Sequence, residues 1–280
     1  MESALANPPL LSAQLTVRYG DKAPVLRDVQ FHIESGEVLG LVGQSGSGKS
    51  TLAMAILGLL DKKRVKAEGR IQFQDSDLLQ LSERQLRALR GRAVSLVLQS
   101  PLSSLNPALR IRTQLREAWR AHAAGTDAAC LSAIRASLGS VSLPSDDEFL
   151  RKYPSQMSVG QAQRVLIAMA TLHRPALLIA DEATSALDVI TQSEILALFR
   201  ELNRSTGMAI LYISHDLASV AGICDRIAIL HQGEIVECGV TEQIFKNPQH
   251  EYTKRLMAAI PRVLPANSPA AVSAFGATAR

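Results

Sequence analysis

Two short segments of this sequence bring together residue types that suit phosphate chemistry. The first is Gly43-Gln44-Ser45-Gly46-Ser47-Gly48-Lys49-Ser50, followed by Thr51. It matches the pattern G-x-x-x-x-G-K-[ST]. Glycines let the backbone turn tightly and bring N–H donors close to phosphate oxygens. A helix starting at the end of the loop aims its positive end at the same anion. The ammonium of Lys49 can reach β- and γ-phosphates, and the hydroxyl of Ser50 can ligate Mg²⁺. The second segment is Asp181-Glu182, directly after Leu177-Leu178-Ile179-Ala180. Alone, an acidic pair after an apolar run is a solvated strand end or a helix cap. With the glycine-rich loop upstream, Asp181 is expected to support Mg²⁺ through one of its waters, and Glu182 to polarise an attacking water as general base.

These groups need elements that carry them to one edge. Val38 to Val42 are short and almost uniformly apolar, which predicts a strand buried on both faces just before the loop. Thr51 to Leu60 read as the helix after it. Leu177 to Ala180, Ala209 to Ile213 and Ile227 to Leu230 are further short apolar runs, and Val94 to Leu98 is another. Helical stretches alternate with them, including Thr191–Arg204, so a largely parallel α/β sheet is expected. Such sheets bind ligands at the carboxyl ends of their strands. Ahead of this core, Ala13 to Arg18 and Val25 to Ile33 alternate apolar and polar residues, as half-buried strands do. From about Pro101 to Tyr153 the composition turns to Ala, Leu and Arg, with helices expected near Thr113–Ala123 and Ala128–Leu138. After Pro261 periodicity is lost, and Arg262 to Arg280 read as a mobile tail.

Taken together, the motifs resemble the ATP-binding cassette (ABC) transporter ATPase family over roughly Leu11 to Pro261. Tyr19 stands where the family has an aromatic that stacks on adenine. Gln99, after Val94–Leu98, is similar to the glutamine that contacts Mg²⁺ and the attacking water. Ser158, Gly160 and Gln161 occupy the signature motif, and Ser185-Ala186-Leu187-Asp188 the loop that crosses the dimer interface. His215, in Ile-Ser-His-Asp, matches the switch histidine at the γ-phosphate. The resemblance implies ATP and Mg²⁺ as ligands. It implies a P-loop NTPase (RecA-like) core with a mostly parallel sheet, an N-terminal antiparallel β subdomain and an inserted α-helical subdomain at about 101–158. Gln99 to Pro107, Tyr153 to Met157 and Asn247 to Thr253 are similar to the ATPases of peptide and nickel importers. The implied partners are a second ABC ATPase subunit, two membrane permease subunits and an extracytoplasmic solute-binding protein. The implied place is the cytoplasmic face of the cell membrane.

The chain departs from the family at its signature, Met157-Ser158-Val159-Gly160-Gln161, where the pattern is Leu-Ser-Gly-Gly-Gln. A β-branched residue at Val159 resists φ > 0 and blocks close backbone approach. Because each signature completes the partner's ATP site, a heterodimer with two unequal sites is expected.

Composition narrows the classes. The 280 residues are 47% hydrophobic and 20% charged, typical of a globular domain. Aromatics are only 4%, which argues against a base-stacking nucleic-acid platform. The net charge of +4 fits either an ordinary surface or attraction to anionic lipid headgroups. The one dense basic run, Lys62-Lys63-Arg64-Val65-Lys66, is too short for a nucleic-acid signal. Three cysteines without a C-x-x-C pair argue against a zinc site or disulfide framework and fit a reducing compartment. The N-terminus lacks a signal-peptide pattern, and no apolar run approaches the roughly 18 residues of a membrane span.

Overall fold

The alternating N-terminal stretches pair as strands in the computed structural model, which describes residues 8–259. β1 (Leu11–Tyr19) and β2 (Leu26–Ile33) run antiparallel, with Leu11, Ala13, Leu15 and Val17 facing inward. β3 (Val38–Val42) is buried along its whole length. α1 (Lys49–Ile56) follows the glycine-rich loop. It stops short of the expected Leu60 because Gly58 adopts a left-handed φ of 62°. β4 (Val65–Phe73) returns to pair with β1, and the two-residue β5 (Ser76–Asp77) pairs with β4. α2 (Glu83–Leu89) starts at a Ser82/Gln85 capping box and leads into β6 (Val94–Val97).

A helical block follows: α3 (Pro101–Ser104), α4 (Ile111–Arg120), α5 (Asp127–Ser140), α6 (Asp147–Arg151), a 3-10 turn at Pro154–Gln156, and α7 (Val159–Thr171). Side-chain caps at Thr126, Asp146 and Ser158 start α5, α6 and α7 by accepting the third N–H of each helix. Ile111, Leu115, Ile134, Leu138 and Val165 join these helices in one apolar core. The chain then alternates through β7 (Leu177–Asp181), α8 (Val189–Thr206), β8 (Ala209–Ser214), α9 (Leu217–Ile223) and β9 (Arg226–His231). β10 (Glu234–Val240), α10 (Thr241–Lys246) and α11 (Glu251–Ala258) complete the described elements.

Two sheets result. The four-stranded one, in the order β2-β1-β4-β5, is antiparallel. The six-stranded one has the order β10-β9-β3-β8-β7-β6, and every pair is parallel except β10 with β9. Alternate residues of its central strands face two separate cores. Leu39, Leu41, Leu177, Ile179, Leu211 and Ile213 pack with α1 and the antiparallel sheet. Val38, Val42, Leu178, Ala180, Ile210 and Tyr212 pack with α7, α8 and α9. Burial on both faces explains why these strands carry unbroken apolar runs. The expected tail at 262–280 lies outside the described residues.

Arg90 ties the far end of α1 to α2. Its Nε donates to the Leu57 carbonyl at 2.7 Å and its Nη2 to the Gly58 carbonyl at 2.9 Å, while Glu83 pairs with it at 2.6 Å. These carbonyls have no helical partner of their own. Replacing Arg90 with Ala is expected to destabilise the fold by about 2 kcal/mol, through charged hydrogen bonds to the two carbonyls. Arg90→Lys should recover less than half of that loss, since an ammonium lacks the planar fork. Denaturant midpoints of the three proteins check both statements.

Candidate active site

Strand order decides which motifs meet. β3, β8 and β7 lie side by side and parallel. Their carboxyl ends therefore bring Gly43, His215 and the Asp181-Glu182 pair to one edge of the sheet.

The loop between β3 and α1 is shaped by its glycines. Gly46 and Gly48 have φ of 79° and 108°, values that other residues avoid. A Cβ on Gly43 would lie 2.3 Å from the Leu230 carbonyl oxygen and 2.6 Å from Ser47 Oγ. The loop thus wraps closely against the end of β9. Lys49 Nζ, on a side chain only 5% exposed, donates to the carbonyls of Gly43 at 2.7 Å and Gln44 at 3.0 Å. Ser47 Oγ is buried with no hydrogen-bond partner, so the cradle holds an unspent polar group. Gln44, Ser45, Gly46 and Ser50 are exposed along its open side, and Thr51 is half-buried in α1.

The two carboxylates face this loop in different ways. Glu182 has a left-handed φ of 49°, unusual for a non-glycine residue, and its N–H donates to the Ile213 carbonyl at 2.9 Å. Its Oε1 lies 4.0 Å from Lys49 Nζ and 3.4 Å from His215 Nδ1. Asp181 is 8% exposed, and its Oδ1 is buried without a partner. Burial raises the Asp181 carboxyl above its ordinary value; the Ser50 hydroxyl beside it opposes that shift, Glu182 adds to it, and Lys49 works against it. Burial also lowers the Lys49 ammonium, against the pull of Glu182 and Asp181. An unpartnered carboxylate oxygen beside a serine hydroxyl suits a hard, oxygen-seeking cation such as Mg²⁺. Among the described residues no group of three or more His, Cys, Asp or Glu side chains could hold a metal unaided. A cation here would share its coordination with phosphate oxygens.

The other expected site residues lie around this centre. Gln99 is exposed just past β6. Tyr19 ends β1, 38% exposed and opposite Val65 of β4. Ser158 and Gln161 form a capping box at the start of α7. No hydrogen bond or ion pair among the described residues joins Ser158, Gly160 or Gln161 to Lys49, Asp181 or Glu182. Gly160 instead abuts α8, where an added Cβ would lie 2.8 Å from Thr191 Cγ2. Asp188 caps that same helix, accepting from the N–H groups of Ile190 and Thr191. The expectation of strain at Val159 is corrected. Val159 is the first residue of α7 and is absent from the positive-φ residues, so it needs no conformation that a β-branched side chain resists. What remains is its bulk, 38% exposed beside Ser158.

Several residues at this edge escaped the sequence reading. Asp216 caps α9 and accepts from Gln192 Nε2 of α8 at 3.1 Å; an Asp directly before an apolar helical run is the signal for such a cap. Tyr212 sits fully buried in an otherwise aliphatic strand, and a buried phenol of that kind must find a hydrogen-bond partner.

Comparison with known proteins agrees with this geometry. A family model described as ABC transporter matches residues 26–185. A second, described as the C-terminal region of oligopeptide/dipeptide transporters, matches residues 236–275. The chain is 41% identical over 246 residues to the dipeptide transport ATP-binding protein DppD of Bacillus subtilis, a match covering 88% of this chain and 73% of that one. It is 39% identical over 250 residues to the glutathione import ATP-binding protein GsiA of Salmonella typhimurium, covering 87% of this chain and 40% of the other. A solved dimeric ATP-binding cassette in a post-hydrolysis state, bound to ADP and Pi, superposes with a TM-score of 0.71. Its identity is 26%, over 82% of this chain and 98% of that one.

The raised Asp181 carboxyl carries a stability consequence. Its folded pKa lies above the unfolded value, so folding binds protons between the two values, and stability falls as pH rises through that window. Asp181→Asn removes the buried charge. It is expected to raise the melting temperature at neutral pH, with the gain shrinking as pH falls towards about 4. Thermal melts across that range check it; a gain independent of pH would contradict it.

Proposed function

The chain belongs to the ABC transporter family as an ATP-hydrolysing subunit, and from that premise we propose how its residues work and what they help to move. The observation that carries the reading is the edge where Lys49, Asp181, Glu182 and His215 converge. Residues Gly43 to Thr51 cradle the triphosphate, using backbone N–H groups and the positive end of α1. Lys49 leaves the carbonyls of Gly43 and Gln44 for the β- and γ-phosphates, which also relieves an ammonium that burial disfavours. Ser50, Asp181 and Gln99 would hold Mg²⁺, which when bound would neutralise charge on the phosphates. Glu182 accepts the proton of the attacking water, and His215 beside it contacts the γ-phosphate. Tyr19 stacks on adenine.

Ser158, Gly160 and Gln161 serve a second subunit's nucleotide; among the described residues no hydrogen bond or ion pair ties them to this chain's own Lys49, Asp181 or Glu182. Val189 and Ile190 follow Asp188 and are 81% and 75% exposed. They offer an apolar contact to that second subunit beside the signature helix. The bulk at Val159 favours a heterodimer in which two sites are unequal. The segment at about 101–158 docks two permease subunits, at the cytoplasmic face of the membrane, and an extracytoplasmic solute-binding protein delivers the cargo. No helix among the described residues is long and apolar enough to cross a membrane. Dipeptide and glutathione, the solutes in the relatives' names, are both short peptides. A short peptide is therefore the proposed cargo; nickel, the other expectation from the sequence, is in neither name.

Glu182→Gln tests the mechanism. ATP should bind as before, while turnover falls by about a hundredfold or more, the scale of a lost general base. A wild-type rate in this variant would remove Glu182 from the role. For the second subunit, Val159→Gly in the paired ATPases is expected to raise hydrolysis at the partner's site. An unchanged rate and unchanged nucleotide-driven association would remove the unequal-site reading.

A further inference from the structure

Four hydroxyl side chains lie buried beneath the site, and none of the chemistry above uses them. Thr184, Tyr212, Ser214 and Ser219 are all buried. Thr184 comes two residues after Glu182, and Ser214 directly precedes His215. Tyr212 points to the helical side of the sheet, its ring 6.3 Å from that of Phe199 on α8. Its hydroxyl lies 2.9 Å from Thr184 Oγ1 and 3.3 Å from Ser219 Oγ. Ser219 Oγ lies 2.8 Å from the Asp216 carbonyl oxygen and 3.3 Å from Ser214 Oγ. Ser214 Oγ accepts from the Asp216 N–H at 3.0 Å.

Each hydroxyl has one proton to donate, which orders the chain. The Asp216 carbonyl can only accept, so Ser219 donates to it. Ser219 then accepts from both Tyr212 and Ser214. Tyr212, its proton given to Ser219, accepts from Thr184. Every hydroxyl proton in the set thus finds an acceptor, and such connected networks rigidify what they join. Burial pushes the phenol above its ordinary value, against the opposing effect of the Ser219, Thr184 and Ser214 hydroxyls around it, so it remains a donor at neutral pH.

The network joins two segments that the mechanism needs at a fixed distance. One carries Glu182, whose left-handed backbone stays in place only if its surroundings over-determine it. The other carries His215, flanked by Ser214 and Asp216. We propose that Tyr212 is a positioning residue for ATP hydrolysis, whose phenol locks the Glu182 segment to the His215 segment through Thr184 and Ser219. This rests on the roles given above to Glu182 and His215. Tyr212 is fully buried; it acts through the separation of the two groups, 3.4 Å between Glu182 Oε1 and His215 Nδ1.

The test uses the full chain paired with its second ATPase subunit in steady-state ATP hydrolysis, with thermal melts of the chain beside it. Tyr212→Phe keeps the ring and removes the link. It should lower kcat about tenfold and leave KM for ATP within about twofold, the mark of misplacement rather than lost binding. The double variant Tyr212→Phe with Thr184→Val removes the orphaned hydroxyl as well. It should regain melting temperature but not kcat, whereas a merely structural role would return both together. A kcat for Tyr212→Phe within about twofold of wild type, or recovery of kcat in the double variant, overturns the proposal. Glu182→Gln is measured in parallel. If that variant alone keeps the wild-type rate, the assigned base fails, whatever Tyr212 does.

Discussion

One ammonium and two carboxylates share a largely dry edge, and the order of the strands makes the arrangement possible. Burial already makes the Asp181 carboxyl costly to ionise, and the like charge of its neighbour Glu182 adds to that cost. Lys49 offsets this from the opposite side, within 4.0 Å of Glu182. The lysine belongs to the loop after β3 and the acids to the end of β7. With neighbouring strands about 4.8 Å apart, the interposed β8 sets those two strands about 10 Å apart.

Much of this was legible in the sequence because the central strands are buried on both faces. Val38–Val42 and the stretches 177–180 and 209–213 show as unbroken apolar runs, each followed by residues of distinctive chemistry. β4 was not legible. It carries Lys66, Glu68 and Arg70 on its exposed side and Gly69 within it, so its apolar face shows only at Val65, Ile71 and Phe73. β10, at the edge of its sheet, has no residue deeply buried and gives no alternation to read. The strain expected at Val159 failed for another reason. Spacing from a motif says which residue stands at a position, not which φ the position demands, and the first turn of a helix demands an ordinary one. The hydroxyl network stayed hidden because Thr184, Ser214 and Ser219 look like surface residues one at a time. Only the packing of α8 and α9 against β8 removes them from water.

α8 links otherwise distant parts of the molecule. Its start is capped by Asp188 and packed against Gly160 of α7. Arg164 of α7 pairs with its Glu194 at 3.0 Å. Near its other end, Asn203 donates to the carbonyls of Gly36 and Met208, at the roots of β3 and β8. An 18-residue helix is about 27 Å long and stiff. The signature segment and the base of the phosphate-loop strand are therefore attached to opposite ends of one rod.

The pairing of β3 also sets an order of events during synthesis. β3 ends at residue 42, yet its two neighbours are β8 at 209–214 and β9 at 226–231. Until some 180 further residues have left the ribosome, the phosphate loop hangs from a strand with both edges unpaired, and Gly43 has no Leu230 carbonyl to lie against. Pairings of such long range form slowly and leave hydrophobic edges open meanwhile. A partly made chain thus has the loop's residues without its shape. The loop takes its shape only when the last strand of the parallel set has docked, because only then does Gly43 meet the Leu230 carbonyl.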